Sequence, residues 1–234
     1  QQPNNAVFYS TRAKLNAGSP AAVESDLIKA IELDGQQWRY YKQLTELYNK
    51  EGRYSDAAMI AQTYYQKNPS HYIMGMLLAK TFLHNKQFNE AARILDKIVV
   101  IPYEGATDGR GLYKETHLML AVEAMKKNNY KKGISEIALA RQWPERLGVG
   151  KPYSEDIDER LENFLLYQCY TKMGDKTKSA SALQQIKTNK ANAYKINTVL
   201  SEWANDNKTA LDKIPAGLNG DENERVLVEW LKKL

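Results

Sequence analysis

The chain has 234 residues, 43% hydrophobic and 26% charged, with a formal net charge of +5. That is an ordinary globular composition, and the mild basicity falls short of a dedicated nucleic-acid binder. The single cysteine, Cys169, excludes an internal disulfide, and apolar runs such as residues 94–101 are too short to span a bilayer.

The chain opens Gln1-Gln2 without Met, so it reads as a processed mature chain or a piece of a longer one, cytoplasmic or periplasmic. Residues 1–35 form a first, atypical repeat. Tyr9, Arg12, Ala13 and Leu15 suggest a short helix stopped by Gly18 and Ser19-Pro20. A second helix carries Val23, Leu27, Ala30, Ile31 and Leu33, and ends at Asp34-Gly35. The stretch from Leu44 to Pro69 then reads as most of a helical hairpin. Leu44, Leu47 and Tyr48, then Tyr54, Ala57, Ala58, Ala61 and Tyr64, recur at spacings of three and four, an apolar stripe on each helix. The first helix runs to Lys50, Gly52 supplies a turn that tolerates positive φ, Ser55 is the expected N-cap of the second helix, and Pro69 marks its end.

An offset of 34 residues carries Leu44 to Leu78, Tyr48 to Phe82, Tyr54 to Phe88, and Ala57 and Ala58 to Ala91 and Ala92. A third repeat therefore spans 70–102, with helices over His71–Leu83 and Asn89–Val100. Beyond it the offset becomes 42, taking Phe88 to Tyr130 and Pro102 to Pro144, so eight residues are inserted within 103–111. The fourth repeat follows over 112–144. A second long connection covers 143–154, and a fifth repeat covers 155–189 with Leu166, Tyr170, Gly174 and Leu183 in register. Two further helical patterns, Tyr194 to Trp203 and one carrying Val226, Leu227, Trp230, Leu231 and Leu234, assign 190–234 as a helical cap over the last apolar face.

The period of 34, with Leu44, Tyr48, Gly52, Tyr54, Ala57 and Pro69 at their places, resembles the tetratricopeptide repeat. That resemblance implies an all-α, right-handed α-solenoid of about five helical hairpins plus the cap. The connections carry a second resemblance. IPYEGATDGRGLYKETHLML and WPERLGVGKPYSEDIDERLENFLLYQCY are similar to the C-terminal repeat region of large bacterial proteins that begin with β-rich domains of carbohydrate-associated character. It implies that this chain is the repeat portion of a bigger protein, and it transfers no sugar chemistry to any residue here.

Two surfaces are candidate sites. The inner groove of such repeats is lined by first helices, which places Arg39, Lys42, Glu46, Asn49, Met76, Lys80, Leu118, Val122, Phe164 and Gln168 toward a partner. The two connections, expected side by side on one edge, offer Tyr103, Glu104, Asp108, Arg110, Trp143, Arg146, Lys151 and Tyr153, with glycines at 105, 109, 111, 148 and 150 for tight turns. The bland alternative is that these connections pack on each other with Trp143 as a plug.

Other constellations are set aside. Residues 148–152, GVGKP, mimic a phosphate loop, but Pro152 and Glu145 stand where it needs Ser or Thr and the first glycine. His71, His84 and His117 lie in different hairpins without a metal partner at i+4, and no cofactor is expected. Glu155, Asp156, Asp158 and Glu159 suit a helix N-terminus, with Ser154 or Asp156 as its cap, better than acid–base work. Lys50, Arg53, Lys86, Lys126, Lys127, Lys131, Lys132, Lys172, Lys176 and Lys178 gather at hairpin turns, either as helix-end charges or as a weak, salt-sensitive site for an anionic partner.

The resulting expectation is a non-catalytic scaffold that binds a protein or peptide, or another domain of the same polypeptide, with no nucleic acid and no membrane span. The alternative is an accessory domain of a carbohydrate-active or carbohydrate-binding bacterial protein, with residues 103–111 and 143–154 lining a ligand site. No catalytic set assembles in the sequence.

Overall fold

The computed structural model describes residues 4–16, 18–102, 108–193, 196–205, 227 and 230. Among them the chain is all-α, with eleven α-helices, two 3-10 turns and no strand. The helices are α1 (Ala6–Leu15), α2 (Pro20–Leu33), α3 (Trp38–Lys50), α4 (Tyr54–Tyr65), α5 (Tyr72–His84), α6 (Phe88–Leu95), α7 (Asp108–Lys126), α8 (Tyr130–Ala140), α9 (Arg160–Lys172), α10 (Lys176–Thr188) and α11 (Ile196–Ala204). None of the described helices is long and apolar enough to cross a membrane. The chain divides into two compact units, Gln1–Ile101 and Pro102–Leu234.

In the N-terminal unit, three hairpins stack in chain order, each helix packing mainly on its sequence neighbours. Small residues form the seams: Ala30, Ala57, Ala61, Ala79 and Ala91 have no exposed surface. Leu27, Leu44 and Tyr48 fill the space beside Ala13 and Ala57. At Gly75 an added Cβ would lie 2.7 Å from Ile98 Cγ2 and 2.9 Å from Tyr65 Cε2, so only a glycine lets α5 seat here. Polar clasps lock the first hairpins. Arg12 grips Asp26 through two hydrogen bonds of 2.8 and 2.5 Å. Arg53 reaches Glu24 at 2.8 Å and Asp56 at 2.8 Å, and the Tyr48 hydroxyl donates to Glu24 at 2.7 Å. Burial and that carboxylate push the Tyr48 hydroxyl up to about 12, while Arg53 holds Glu24 below the usual carboxylate range.

The hairpin turns after α3, α5, α7 and α9 share one geometry. A residue in the left-handed region, Gly52 (φ 73°), Lys86 (59°), Asn128 (58°) or Gly174 (76°), ends each first helix. The next N–H then reaches back to a carbonyl five residues earlier: Arg53 to Tyr48, Gln87 to Phe82, Asn129 to Ala124 and Asp175 to Tyr170, at 2.8, 2.8, 2.9 and 2.9 Å. This closure satisfies the helix-end carbonyls. It also makes Arg53 the last residue before α4, so Ser55 falls inside the first turn and is not the cap that the sequence suggested. A Cβ at Gly52 or Gly174 meets nothing within 4 Å. The cost of alanine there is therefore purely conformational: Gly52→Ala or Gly174→Ala should lose about 1–2 kcal/mol in urea unfolding, and Asn128→Gly should be near neutral.

In the C-terminal unit, α7/α8 and α9/α10 form two hairpins, with α11 packed on α9 and α10. The core gathers Leu118, Ala121, Val122, Ile137, Phe164, Leu165, Cys169, Leu200 and Leu227. Trp203 of α11 sets its edge on Phe164 (4.7 Å) and Tyr167 (5.3 Å). Burial pushes the Cys169 thiol up to about 12, so it behaves as an apolar filler. In the C-terminal stretch, Tyr194, Val226, Leu231 and Leu234 lie outside the described residues, whereas Leu227 joins the core and Trp230 packs against it.

Three boundaries differ from the sequence reading. α6 stops at Leu95, not Val100, and the β-branched run that follows leaves Ile98 and Val100 buried without helix. α7 starts at Asp108, so part of the insertion is an extra helical turn. α9 starts at Arg160: Ser154–Asp156 is a separate 3-10 turn, and Asp158 accepts from the Arg160 N–H at 3.1 Å in place of a Ser154 or Asp156 cap.

Candidate functional site

In the N-terminal unit the first-helix residues divide by role. Arg39 is exposed, its guanidinium 4.7 Å over the Trp38 ring and donating to Gln37 at 3.3 Å. Lys42 and Glu46 pair at 2.6 Å along α3, an exposed contact worth little by itself. Asn49 donates to Thr81 Oγ1 at 2.9 Å, so its amide joins α3 to α5. Met76 is half-buried and Lys80 exposed. A linked aromatic set went unnoticed in the sequence: Trp38 meets His71 at 4.9 Å, His71 meets Tyr64 at 5.5 Å, and Tyr64 meets Tyr41 at 5.2 Å. Its members are scattered over two hairpins, and no spacing rule joins them.

In the C-terminal unit the corresponding positions lie inside. Leu118, Val122 and Phe164 are 5%, 0% and 0% exposed and belong to the core cluster, so they line no open groove. The reason is local. α7 is buried on most of its circumference, and α11 brings Trp203 onto Phe164. Gln168 is half-exposed.

The enlarged connections build something more specific. The extra turn of α7 puts Gly109 where a Cβ would stand 2.6 Å from the Leu147 carbonyl oxygen, so the two inserted stretches touch through that glycine. One residue on, Arg110 is 7% exposed. Its Nη2 donates to the Ala140 carbonyl at 2.7 Å, and its plane lies 4.6 Å over the Trp143 ring. Burial pulls the Arg110 pKa below its ordinary value, against the opposing pull of Glu162 and Glu159. One turn further, Lys114 stands 2.5 Å from Glu162, which has no exposed surface. Arg160 pairs with Asp158 at 2.9 Å and donates to the carbonyls of Asn189 and Ala191 at 2.7 and 3.0 Å. Arg141 clasps Asn163 and approaches Glu159 at 3.4 Å.

Above this buried charged layer opens a cleft of about 290 Å³. It is lined by apolar Trp143, Val149, Pro152 and Ile157, by Gly111, and by charged Arg110, Lys114, Asp156, Asp158 and Glu162. The volume sits just under the small-molecule range of roughly 300–1,000 Å³. The indole Nε1 of Trp143, Nε of Arg110 and both carboxylate oxygens of Glu162 are buried without an aligned hydrogen bond, so the charged layer rests on ion pairing.

Of the eight connection residues expected to gather, Arg110 and Trp143 line the cleft. Arg146 instead lies 5.6 Å over the Tyr113 ring. Asp108 and Lys151 are exposed and Tyr153 is 78% exposed, none of them lining the cleft. Tyr103 and Glu104 lie outside the described residues. Lys114 and Glu162 were missed because each sits on a helix where a charge reads as solvated. The one signal was Glu162 beside Leu161 and Leu165, an acid on an apolar face.

Helical hairpins stacked on small-residue seams define the class: the fold is that of tetratricopeptide-repeat proteins. Residues 48–100 match the tetratricopeptide repeat family. The chain is similar in structure to YrrB, a TPR protein with an unusual peptide-binding site, at 14% identity and a TM-score of 0.50, covering 99% of this chain and 93% of that one. A tetratricopeptide repeat protein from Parabacteroides merdae aligns at 14% identity and a TM-score of 0.48, over 99% and 84%. Pseudomonas aeruginosa pilF aligns at 17% identity and 0.43, over 80% and 77%. No curated protein sequence matches the chain.

Proposed function

We propose that this chain is a non-catalytic interaction scaffold that seats a segment of another protein, or of a neighbouring domain of its own polypeptide, by one anchoring side chain in the cleft beside Trp143. The observation that carries this reading is the cleft itself. A break in the repeat spacing builds a small cleft with apolar walls, Trp143, Val149, Pro152 and Ile157, over the buried charges of Arg110 and Glu162, a mixed lining that suits an amphipathic anchoring side chain. The exposed Arg39 and Lys80 and the half-buried Lys42 of the N-terminal unit add a second, polar contact face. The resemblance of both connections to repeat regions of larger bacterial proteins favours a domain of the same polypeptide as the occupant.

Gly111 offers a clean test. It lines the cleft, and a Cβ there meets nothing within 4 Å. Gly111→Phe should therefore fill the cleft without strain in α7. On a peptide array, the peptides held by the unaltered chain should weaken at least about tenfold with Gly111→Phe, the cost of losing one anchor. Binding that survives both Gly111→Phe and Lys42→Ala would overturn the proposal. A fluorescence response to glycans that Gly111→Phe abolishes would move the site to the carbohydrate reading.

A further inference from the structure

The net charge of the chain is concentrated on two hairpin tips of the C-terminal unit. Lys126, Lys127, Lys131 and Lys132 flank the α7–α8 turn, and Lys172, Lys176 and Lys178 flank the α9–α10 turn. The acids in residues 123–135 and 170–178 are Glu123 and Asp175, so these tips carry a net +5, equal to that of the whole chain. All seven lysines are exposed. Lys178 pairs with Asp175 at 3.2 Å, and the other six make no ion pair among the described residues.

The tips share one edge. A Cβ at Gly133, in the first turn of α8, would stand 3.0 Å from Met125 at the end of α7 and 3.5 Å from Cys169 near the end of α9. Helix-end electrostatics explains only part of the cluster. Lys126, Lys127 and Lys172 follow or end helices, where cations are favoured. Lys131, Lys132, Lys176 and Lys178 occupy the first turns of α8 and α10, where the macrodipole opposes them. Four cations placed against the local field, beside three more, point to an external anion.

The chemistry narrows its kind. The edge carries lysine and no arginine, so it offers hydrated point charges and no planar fork for individual phosphates. One amide at each helix start is already taken, the Lys132 N–H of α8 by the Asn129 side chain and the Lys178 N–H of α10 by that of Asp175. Met173, 43% exposed, stands between Lys172 and Lys176 on one of the two turns. We propose that this edge docks the chain on a bilayer surface bearing anionic headgroups, with the lysines in the headgroup layer and Met173 at its apolar boundary.

The test is co-sedimentation of the full chain with phosphatidylcholine vesicles, with and without phosphatidylglycerol. Binding should be at least about tenfold stronger with phosphatidylglycerol, and should fall about tenfold between roughly 0.1 and 0.5 M salt. Changing Lys131, Lys132, Lys176 and Lys178 together to Gln should weaken it by a similar factor while the circular dichroism is unchanged, since all four are exposed. Changing Lys14, Lys67, Lys97 and Lys187 to Gln alters the net charge equally and should leave binding within about twofold. Absence of phosphatidylglycerol-dependent binding, equal losses in the two quadruple variants, or tighter capture by soluble heparin or duplex DNA would each overturn the proposal.

Discussion

Phe164→Ala is expected to destabilise the C-terminal unit by about 3–5 kcal/mol, among the largest effects of any single change in this chain. Phe164 has no exposed surface, lies in the core cluster with Leu118, Val122 and Leu200, and supports the Trp203 ring at 4.7 Å. Truncation removes the buried ring and leaves a cavity that α11 cannot fill without moving. Urea unfolding followed by tryptophan fluorescence should show the midpoint falling and Trp203 becoming more solvent-exposed. A loss below about 1 kcal/mol would mean that the side chain faces a groove after all.

Lys114→Ala should be the next most damaging change, at about 3 kcal/mol. Glu162 is fully buried, and the ammonium 2.5 Å away is its paired cation. Arg110 is directed to the Ala140 carbonyl and the Trp143 ring. Removing Lys114 strands a carboxylate whose oxygens already lack aligned hydrogen bonds. The paired change Lys114→Met with Glu162→Leu removes both charges and keeps the volume, so it should recover most of the loss. A double-mutant cycle in urea measures this directly, and additive losses would show that the two groups are not coupled.

The hairpin architecture was readable because it rests on local rules. Leu44, Tyr48, Ala57 and Ala61 repeat at helical spacing, and the structure buries all four. The site was less readable, for a physical reason. Surface and core positions of a first helix differ by what packs on its second side, and that is decided by elements far along the chain. Phe164 looked like a groove residue because its register matched a face that is open in an ideal array, yet α11 covers it. The insertion at 103–111 looked like a loop because it is rich in glycine, yet Gly109 and Gly111 lie within α7. Gly109 serves close approach to Leu147, which composition cannot distinguish from a turn. Arg110 and Trp143 stand out in the sequence because they lie in long connections between hairpins, whereas Lys114 and Glu162 sit on helices where a charge reads as solvated.

Within each unit, nearly every described helix rests on the one before or after it in the sequence. Such local topology makes assembly quick, because little chain entropy must be surrendered before a contact forms. A polypeptide of this kind can condense pair by pair as it leaves the ribosome, without waiting for distant segments.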